Sequence, residues 1–173
     1  SAASDVYKRQ AEKSSNSKVG IATFSYNENG TTTELLKLND KKNKDTLIDT
    51  VSGLNADGGT DPNFGLNNAY NQLTAATKNG DTLPKYVILF TDGEPTGNST
   101  DKSEGKKWST EAQKRAEATA KKLKDNGVSI YTIGFALSSG SDAERFLAGD
   151  GTDDFPGIAS NAGCCLLYTS DAA

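Results

Sequence analysis

Two short stretches of this 173-residue chain place oxygen-bearing side chains where the backbone can turn tightly. In Gly58-Gly59-Thr60-Asp61-Pro62, a hydroxyl and a carboxylate come just before a helix start. In Thr91-Asp92-Gly93-Glu94, a carboxylate leaves the end of an apolar run and Gly93 permits a sharp turn. Hydroxyl and carboxylate oxygens on adjacent loops suit a hard cation such as Mg2+, which prefers octahedral oxygen ligation at about 2.1 Å and keeps several waters. Each loop also has a purely structural reading. Gly-Gly-Thr-Asp serves equally as a helix cap, and Thr-Asp-Gly as a turn.

Other chemistries lack their parts. The chain has no histidine, so neither a Ser-His-Asp triad nor a His-containing zinc site can be built. Ser99 and Ser109 have no base in view. No G-x-x-x-x-G-K-[ST] or G-x-G-x-x-G loop follows a strand to cradle a nucleotide phosphate. A net charge of -4 and a pI near 4.9 argue against a nucleic-acid or anionic-membrane surface, because phosphate binding needs clustered positive charge. The Lys-rich stretches at 41–44 and 121–124, with Asp and Asn in and beside them, read as solvated helix faces. No apolar run approaches the roughly 20 residues that span a bilayer, so no membrane insertion is expected.

The elements that must carry the two loops follow from periodicity and turn chemistry. Val19-Gly20-Ile21-Ala22-Thr23-Phe24 reads as a buried strand. Asn29-Gly30 is a hairpin signal, so residues 31–38 should return antiparallel as an edge strand. Asp40 caps a helix in which Leu47, Ile48, Val51 and Leu54 keep helical spacing. A second helix begins near Pro62, with Leu66, Ala69, Tyr70, Leu73 and Ala76 as its apolar stripe. Tyr86-Val87-Ile88-Leu89-Phe90 is a continuous apolar run, the pattern of a strand covered on both faces. Thr110 and Gln113 fit a capping box opening a long helix, with Ala112, Ala116, Ala120 and Leu123 facing inward and Asn126-Gly127 as the stop. Residues 128–134 form another apolar strand, and residues 142–147 a short helix before an irregular end. Strands alternating with helices through short loops define an α/β fold. It is doubly wound, with a mostly parallel sheet, helices on both faces and one antiparallel edge strand. In such sheets ligands bind beyond the carboxyl ends of the strands, which is where both loops fall.

The two ends are of a different kind. Asp5-Val6-Tyr7-Lys8-Arg9-Gln10 can be encoded by GAT GTG TAT AAG AGA CAG, whose reverse complement, read one base on, encodes Cys165-Leu166-Leu167-Tyr168-Thr169-Ser170. Residues 1–10 and 164–173 are therefore expected to derive from sequencing-adapter DNA, leaving 11–163 as a partial domain. The sequence contains no methionine, as expected for a fragment. Both cysteines lie in or beside the suspect tail, and vicinal cysteines do not readily bridge to each other.

Taken in order, these elements resemble the von Willebrand factor A family. The resemblance runs from Val19-Gly20-Ile21-Ala22-Thr23-Phe24-Ser25 through Gly58-Gly59-Thr60-Asp61 and Gly65-Leu66 to Val87-Ile88-Leu89-Phe90-Thr91-Asp92-Gly93 and Ile130-Tyr131-Thr132-Ile133-Gly134. It implies a metal-ion-dependent adhesion site at the top of the sheet, with Mg2+ as the ion. Thr60 is implied as a direct ligand and Asp92 as the aspartate that holds the ion, often through water. The implied partner is a protein or extracellular-matrix ligand offering a carboxylate, the ion bridging the two rather than catalysing. The D-x-S-x-S loop that supplies the family's first ligands is not found before Val19, so the central first strand is expected to be missing and Mg2+ binding weak. Cysteine-free, Asn-, Thr- and Lys-rich versions of the domain resemble those of Gram-positive adhesins and pilus-tip proteins, which implies a cell-surface setting. Two alternatives remain. Leu89-Phe90-Thr91-Asp92-Gly93-Glu94-Pro95-Thr96 loosely resembles the D-x-D-x-T loop of haloacid dehalogenase-type phosphohydrolases, with Asp92 as nucleophile and Glu94 in place of the second aspartate. A purely structural surface domain is the other.

Overall fold

The structure is a computed structural model and describes residues 16–25, 32–55, 59–91, 94–97 and 107–168. The chain divides into two compact units, one formed by residues 1–23 and 31–56 and the other by residues 24–30 and 57–173.

In the first unit, β1 (Lys18–Val19) pairs antiparallel with β2 (Leu36–Lys37). A bridge between Ala22 and Thr32 extends the pairing, as do bonds from the Leu38 N–H to the Ser17 carbonyl and from the Thr33 N–H to the Ile21 carbonyl. The antiparallel return is as expected, while the Asn29-Gly30 turn lies outside the described residues. Burial is not as expected. None of residues 19–24 is fully buried, Val19 is exposed, and β1 and β2 form their own two-stranded sheet. A two-stranded ribbon has too little surface to bury a strand, and here Lys18 faces Lys37 directly, which adds like-charge repulsion.

Helix α1 (Lys41–Ser52) follows. The Asp40 carboxylate accepts from the Lys42 and Asn43 N–H groups, satisfying donors that a helix start leaves open. Of its apolar stripe only Leu47 is buried, and Ile48, Val51 and Leu54 are exposed.

The second unit carries the core. Strands β3 (Tyr86–Thr91), β4 (Ser129–Phe135) and β5 (Cys165–Tyr168) form a parallel sheet in that order. The first two were legible as apolar runs. The third falls in the segment set aside as adapter-derived, where no strand was expected. Helices α2 (Pro62–Lys78), α3 (Thr110–Asp125) and α4 (Asp142–Ala148) complete the unit.

Strand alternation puts Val87, Leu89 and Thr91 of β3 on the same side as Ile130, Thr132 and Gly134 of β4. On that side Leu66 of α2, Ala116, Ala120 and Leu123 of α3, and Ala143, Phe146 and Leu147 of α4 join Leu89, Ile130 and Ile158 in one apolar cluster. Small alanines bring α3 close to the strands, and a Cβ at Gly134 would lie 2.6 Å from a Leu137 methyl and so displace that side chain. The expectation that Tyr86–Phe90 is covered on both faces fails, since Tyr86, Ile88 and Phe90 are exposed. An unbroken apolar run shows that a strand tolerates burial on both sides. It does not show that a second layer lies over it.

Two caps also differ from expectation or complete it. Ser109, one residue before Thr110, caps α3 by accepting from the Ala112 N–H. Gln113 does not close a capping box. Its side chain instead accepts from Trp108 Nε1 and donates to Glu117 and to the Asp154 carbonyl. Asn126 and Gly127, the latter at φ +75°, end the helix as read from the sequence.

Beyond α4 the chain folds back tightly. Ile158 and Ala159 N–H groups donate to the Phe146 and Leu147 carbonyls, and Ser160 and Ile130 bond through both backbone and side chain. This return brings Gly157 against Gly149, both at positive φ, so closely that a Cβ on Gly157 would lie 2.6 Å from the Gly149 nitrogen. Gly157→Ala is expected to cost about 3 kcal/mol, combining left-handed strain with a backbone clash. Gly140, at φ +74° with open space around it, isolates the strain, and Gly140→Ala should cost only about 1 kcal/mol. Urea denaturation of the two variants checks the difference, and equal losses would show that the close approach is absent.

Candidate functional site

The Gly-Gly-Thr-Asp loop is built around a buried carboxylate. Asp61 is fully shielded from solvent, and its backbone is extended, as a cap residue requires. One oxygen accepts from the Asn63 N–H at 3.1 Å and so caps α2, with Pro62 in the first turn where no N–H is needed. The other accepts from the Arg115 guanidinium of α3 at 2.7 Å. An ionised carboxylate without water needs such a partner, because burial of an unpaired charge costs several kcal/mol. A neighbouring bond from the Thr119 hydroxyl to the Asn63 side chain, 2.8 Å, ties the same two helices again.

With Asp61 fixed, the residue before it is held on the other side. The Thr60 N–H donates to Thr96 Oγ1 at 2.7 Å, and its carbonyl accepts from the Thr96 and Gly97 N–H groups at 2.9 and 3.1 Å. The Asp61 N–H donates to the Ser25 carbonyl at 3.2 Å, and the Ser109 N–H to the Pro95 carbonyl at 2.7 Å. The Thr60 loop, the Glu94–Gly97 segment and the start of α3 are thus stitched together by backbone groups. Thr60 itself is half-buried.

Of the two site residues read from the sequence, the structure places Thr60 in this stitched loop. Asp92 lies outside the described residues, as do Gly58 and Gly93. Thr91, its chain neighbour, is buried at the carboxyl end of β3. Asp61 serves as the structural reading of the loop required, as a helix cap. Arg115, 54 positions away, was not legible as its partner, since a lone arginine on a polar helix carries no signal of what it reaches. Thr96 was noticed only as part of a loop motif, and its role as the clamp on Thr60 comes from the fold.

The donor set available to a cation is small. Among the described residues no group of three or more His, Cys, Asp or Glu side chains is placed to hold a metal ion. The nearest carboxylate to Thr60 in sequence, Asp61, is committed to Arg115 and to the α2 cap. Among the described residues, then, no carboxylate cluster of that size stands beside the Thr60 hydroxyl, and Asp61 is already engaged.

Two half-buried charged groups of α3 have shifted ionisation. Burial pushes the Glu117 carboxyl up, opposed by its bond from Gln113 and by Lys114 and Lys124. Burial pushes the Lys124 ammonium down, opposed by Asp125 and Glu117, and the ammonium donates to the Gly157 and Ala159 carbonyls. Lys124 braces the returning chain, and Glu117 is held by Gln113 of its own helix.

A parallel sheet with helices packed on one face makes the second unit an α/β module. The chain belongs to the von Willebrand factor type A domain family, whose model matches residues 1–172. None of the curated proteins compared with the chain matches it. Among solved structures it is similar to the pilus adhesin SpaC from Lactobacillus rhamnosus GG, at 17% identity and a TM-score of 0.64 over 94% of this chain and 24% of that one. The open conformation of the same adhesin gives 19% identity and a TM-score of 0.61, with 88% and 23% covered. Proximal thread matrix protein 1 from the mussel byssus gives 22% identity and a TM-score of 0.58, with 96% and 37% covered. At these identities the likeness is one of fold, and the chain spans well under half of each of these proteins.

If the Asp61–Arg115 pair organises the loop, Arg115→Ala should strand a buried carboxylate and cost about 3 kcal/mol. Asp61→Asn keeps a capping side chain and should cost less, about 1–2 kcal/mol. Chemical denaturation of both variants checks the order, and an Arg115→Ala loss below about 0.5 kcal/mol would mean the pair is a solvent-screened contact.

Proposed function

We propose that this domain is a binding module of a bacterial cell-surface or pilus protein, Gram-positive in origin, that engages a protein or extracellular-matrix ligand through a Mg2+ ion in the intact parent. The reading assigns Thr60 as a direct ligand and Asp92 as the aspartate that holds the ion, with a carboxylate of the partner completing the coordination. When bound, the ion supplies a bridge between two sets of oxygen ligands and no bond-breaking chemistry. The role is adhesion rather than catalysis.

The observation that carries this reading is the clamp of Thr96 and Gly97 on Thr60. It ties the Gly-Gly-Thr loop to the Glu94–Gly97 segment that follows the Thr91-Asp92-Gly93 motif in sequence, which supports reading the two motifs as one site. Family membership and the resemblance in fold to a pilus adhesin support the same reading.

Two protein oxygens make a weak site, and no D-x-S-x-S sequence is present to add to them. Millimolar Mg2+ is therefore expected to move the melting temperature by less than about 1 °C, where a native-state ligand at 100 times its dissociation constant would add about 2.7 kcal/mol. Mn2+, a paramagnetic substitute for Mg2+, locates even a weak site by NMR. Broadening is expected at Thr60 and around Asp92, and to be lost in Thr60→Ala and Asp92→Ala. Broadening confined to the acidic turn at 150–154 would remove the assignment.

A further inference from the structure

The chain carries three Asn-Gly pairs, at 29–30, 79–80 and 126–127, of which the first lies outside the described residues. An asparagine followed by glycine is open to attack on its own side chain. The glycine has no Cβ to obstruct its nitrogen as it swings toward the carboxamide carbon.

The two described pairs end their helices in the same way. Asn79 and Asn126 cap the carboxyl ends of α2 and α3 with ψ of 13° and 15°. Gly80 and Gly127 follow at φ +85° and +75°, each with open space where a Cβ would point. The Gly80 N–H donates to the Thr77 carbonyl at 3.0 Å, and the Gly127 N–H to the Lys124 carbonyl at 2.9 Å. Both glycine nitrogens are therefore engaged, and the helix end must open before either can reach a carboxamide.

What opening disturbs is different at the two ends. The Asn126 carboxamide donates to the Lys122 carbonyl at 2.8 Å, a bond that must break first. The next residue, Val128, is buried in the core, and the Ser129 N–H is already bonded to the Lys85 carbonyl at the start of β4. Moving Gly127 thus pulls on the core and on the sheet. The Asn79 carboxamide makes no hydrogen bond among the described residues. Asn79 and Gly80 are exposed, Thr82, Leu83 and Pro84 after them are exposed as well, and no residue from 79 to 85 belongs to the core. A helix end that takes no core residue with it opens at the low end of the free-energy range.

We propose that Asn79 is a site of spontaneous deamidation in the folded chain, while the fold protects Asn126. The Gly80 nitrogen, its proton taken by solvent base, forms a bond to Asn79 Cγ. The Cγ–Nδ2 bond breaks, ammonia leaves, and a cyclic imide joins the two residues. Water then adds to one imide carbonyl and breaks its bond to nitrogen, giving aspartate or isoaspartate at position 79. Nothing is oxidised or reduced. The new negative charge stands beside Asp81 and the open carbonyls at the end of α2, where the helix dipole disfavours it. Isoaspartate also inserts a methylene into the backbone and so disturbs the Gly80–Thr77 and Asp81–Ala76 bonds that close the helix.

Peptide mapping by mass spectrometry, on the full chain kept in mildly alkaline buffer with and without urea, tests this. Heavy-oxygen water marks the acid formed during the incubation and separates it from any carried over. The unfolded chain gives the intrinsic rate of each pair. Divided by that rate, reaction of the native chain is expected to be at least about fivefold faster at Asn79 than at Asn126, the factor that one net hydrogen bond represents. Equal normalised rates, or faster reaction at Asn126, would overturn the proposal. So would an Asn79 that stays intact in the native chain while the unfolded chain reacts, or one that reacts in neither.

Discussion

A carboxylate at position 61 can be sealed from water only if something replaces its hydration, and Arg115 does so across 54 residues of sequence. Much of the second unit follows from that replacement. The pair joins the start of α2 to the middle of α3, and Thr119 and Asn63 repeat the joint one turn further along. Because α2 and α3 are held there, Leu66 meets the alanine stripe of α3, and both close over Leu89 and Ile130. The same carboxylate fixes the residue before it, so Thr60 is presented from a rigid base rather than from a free loop. Desolvation makes the arrangement costly to break. The guanidinium is partly open to water and survives alone, whereas the carboxylate would not.

The backbone then does what side chains alone could not. Thr60 offers its N–H and carbonyl to Thr96 and Gly97, so the segment after β3 is tied to the loop before α2 although 36 residues separate them. In an α/β sheet the loops beyond the carboxyl ends of the strands gather at one edge, and a few backbone bonds are enough to set which of them touch. The binding function proposed for the domain depends on this adjacency more than on any single ligand.

Much of this was legible in the sequence, where local chemistry decides. Asp40 and Asp61 ahead of their helices, Asn126-Gly127 after one, the alanine stripe of α3 and the apolar runs of β3 and β4 each specify a local structure, and the fold agrees with them. Periodicity failed where burial depends on what lies opposite. Ile48 and Val51 keep helical spacing and Tyr86, Ile88 and Phe90 keep strand alternation, yet all five are exposed. A pattern names the apolar face without naming its cover. Ser109 displaced Thr110 as a cap because two adjacent hydroxyl residues are equivalent until the entry of the chain is known. The partner of Asp61 was out of reach for the same reason. Arg115 looks like any solvated arginine until α3 is laid beside α2.

The central claim, that a buried ion pair holds the Thr60 loop in register with the segment after β3, is tested most directly by amide hydrogen exchange. The N–H groups of Thr60, Thr96 and Gly97 should exchange slowly and at matching rates in the native chain, and Arg115→Ala should release all three together while leaving β4 protected. Rapid exchange of these amides in the native chain, or protection that survives the loss of Arg115, would contradict it.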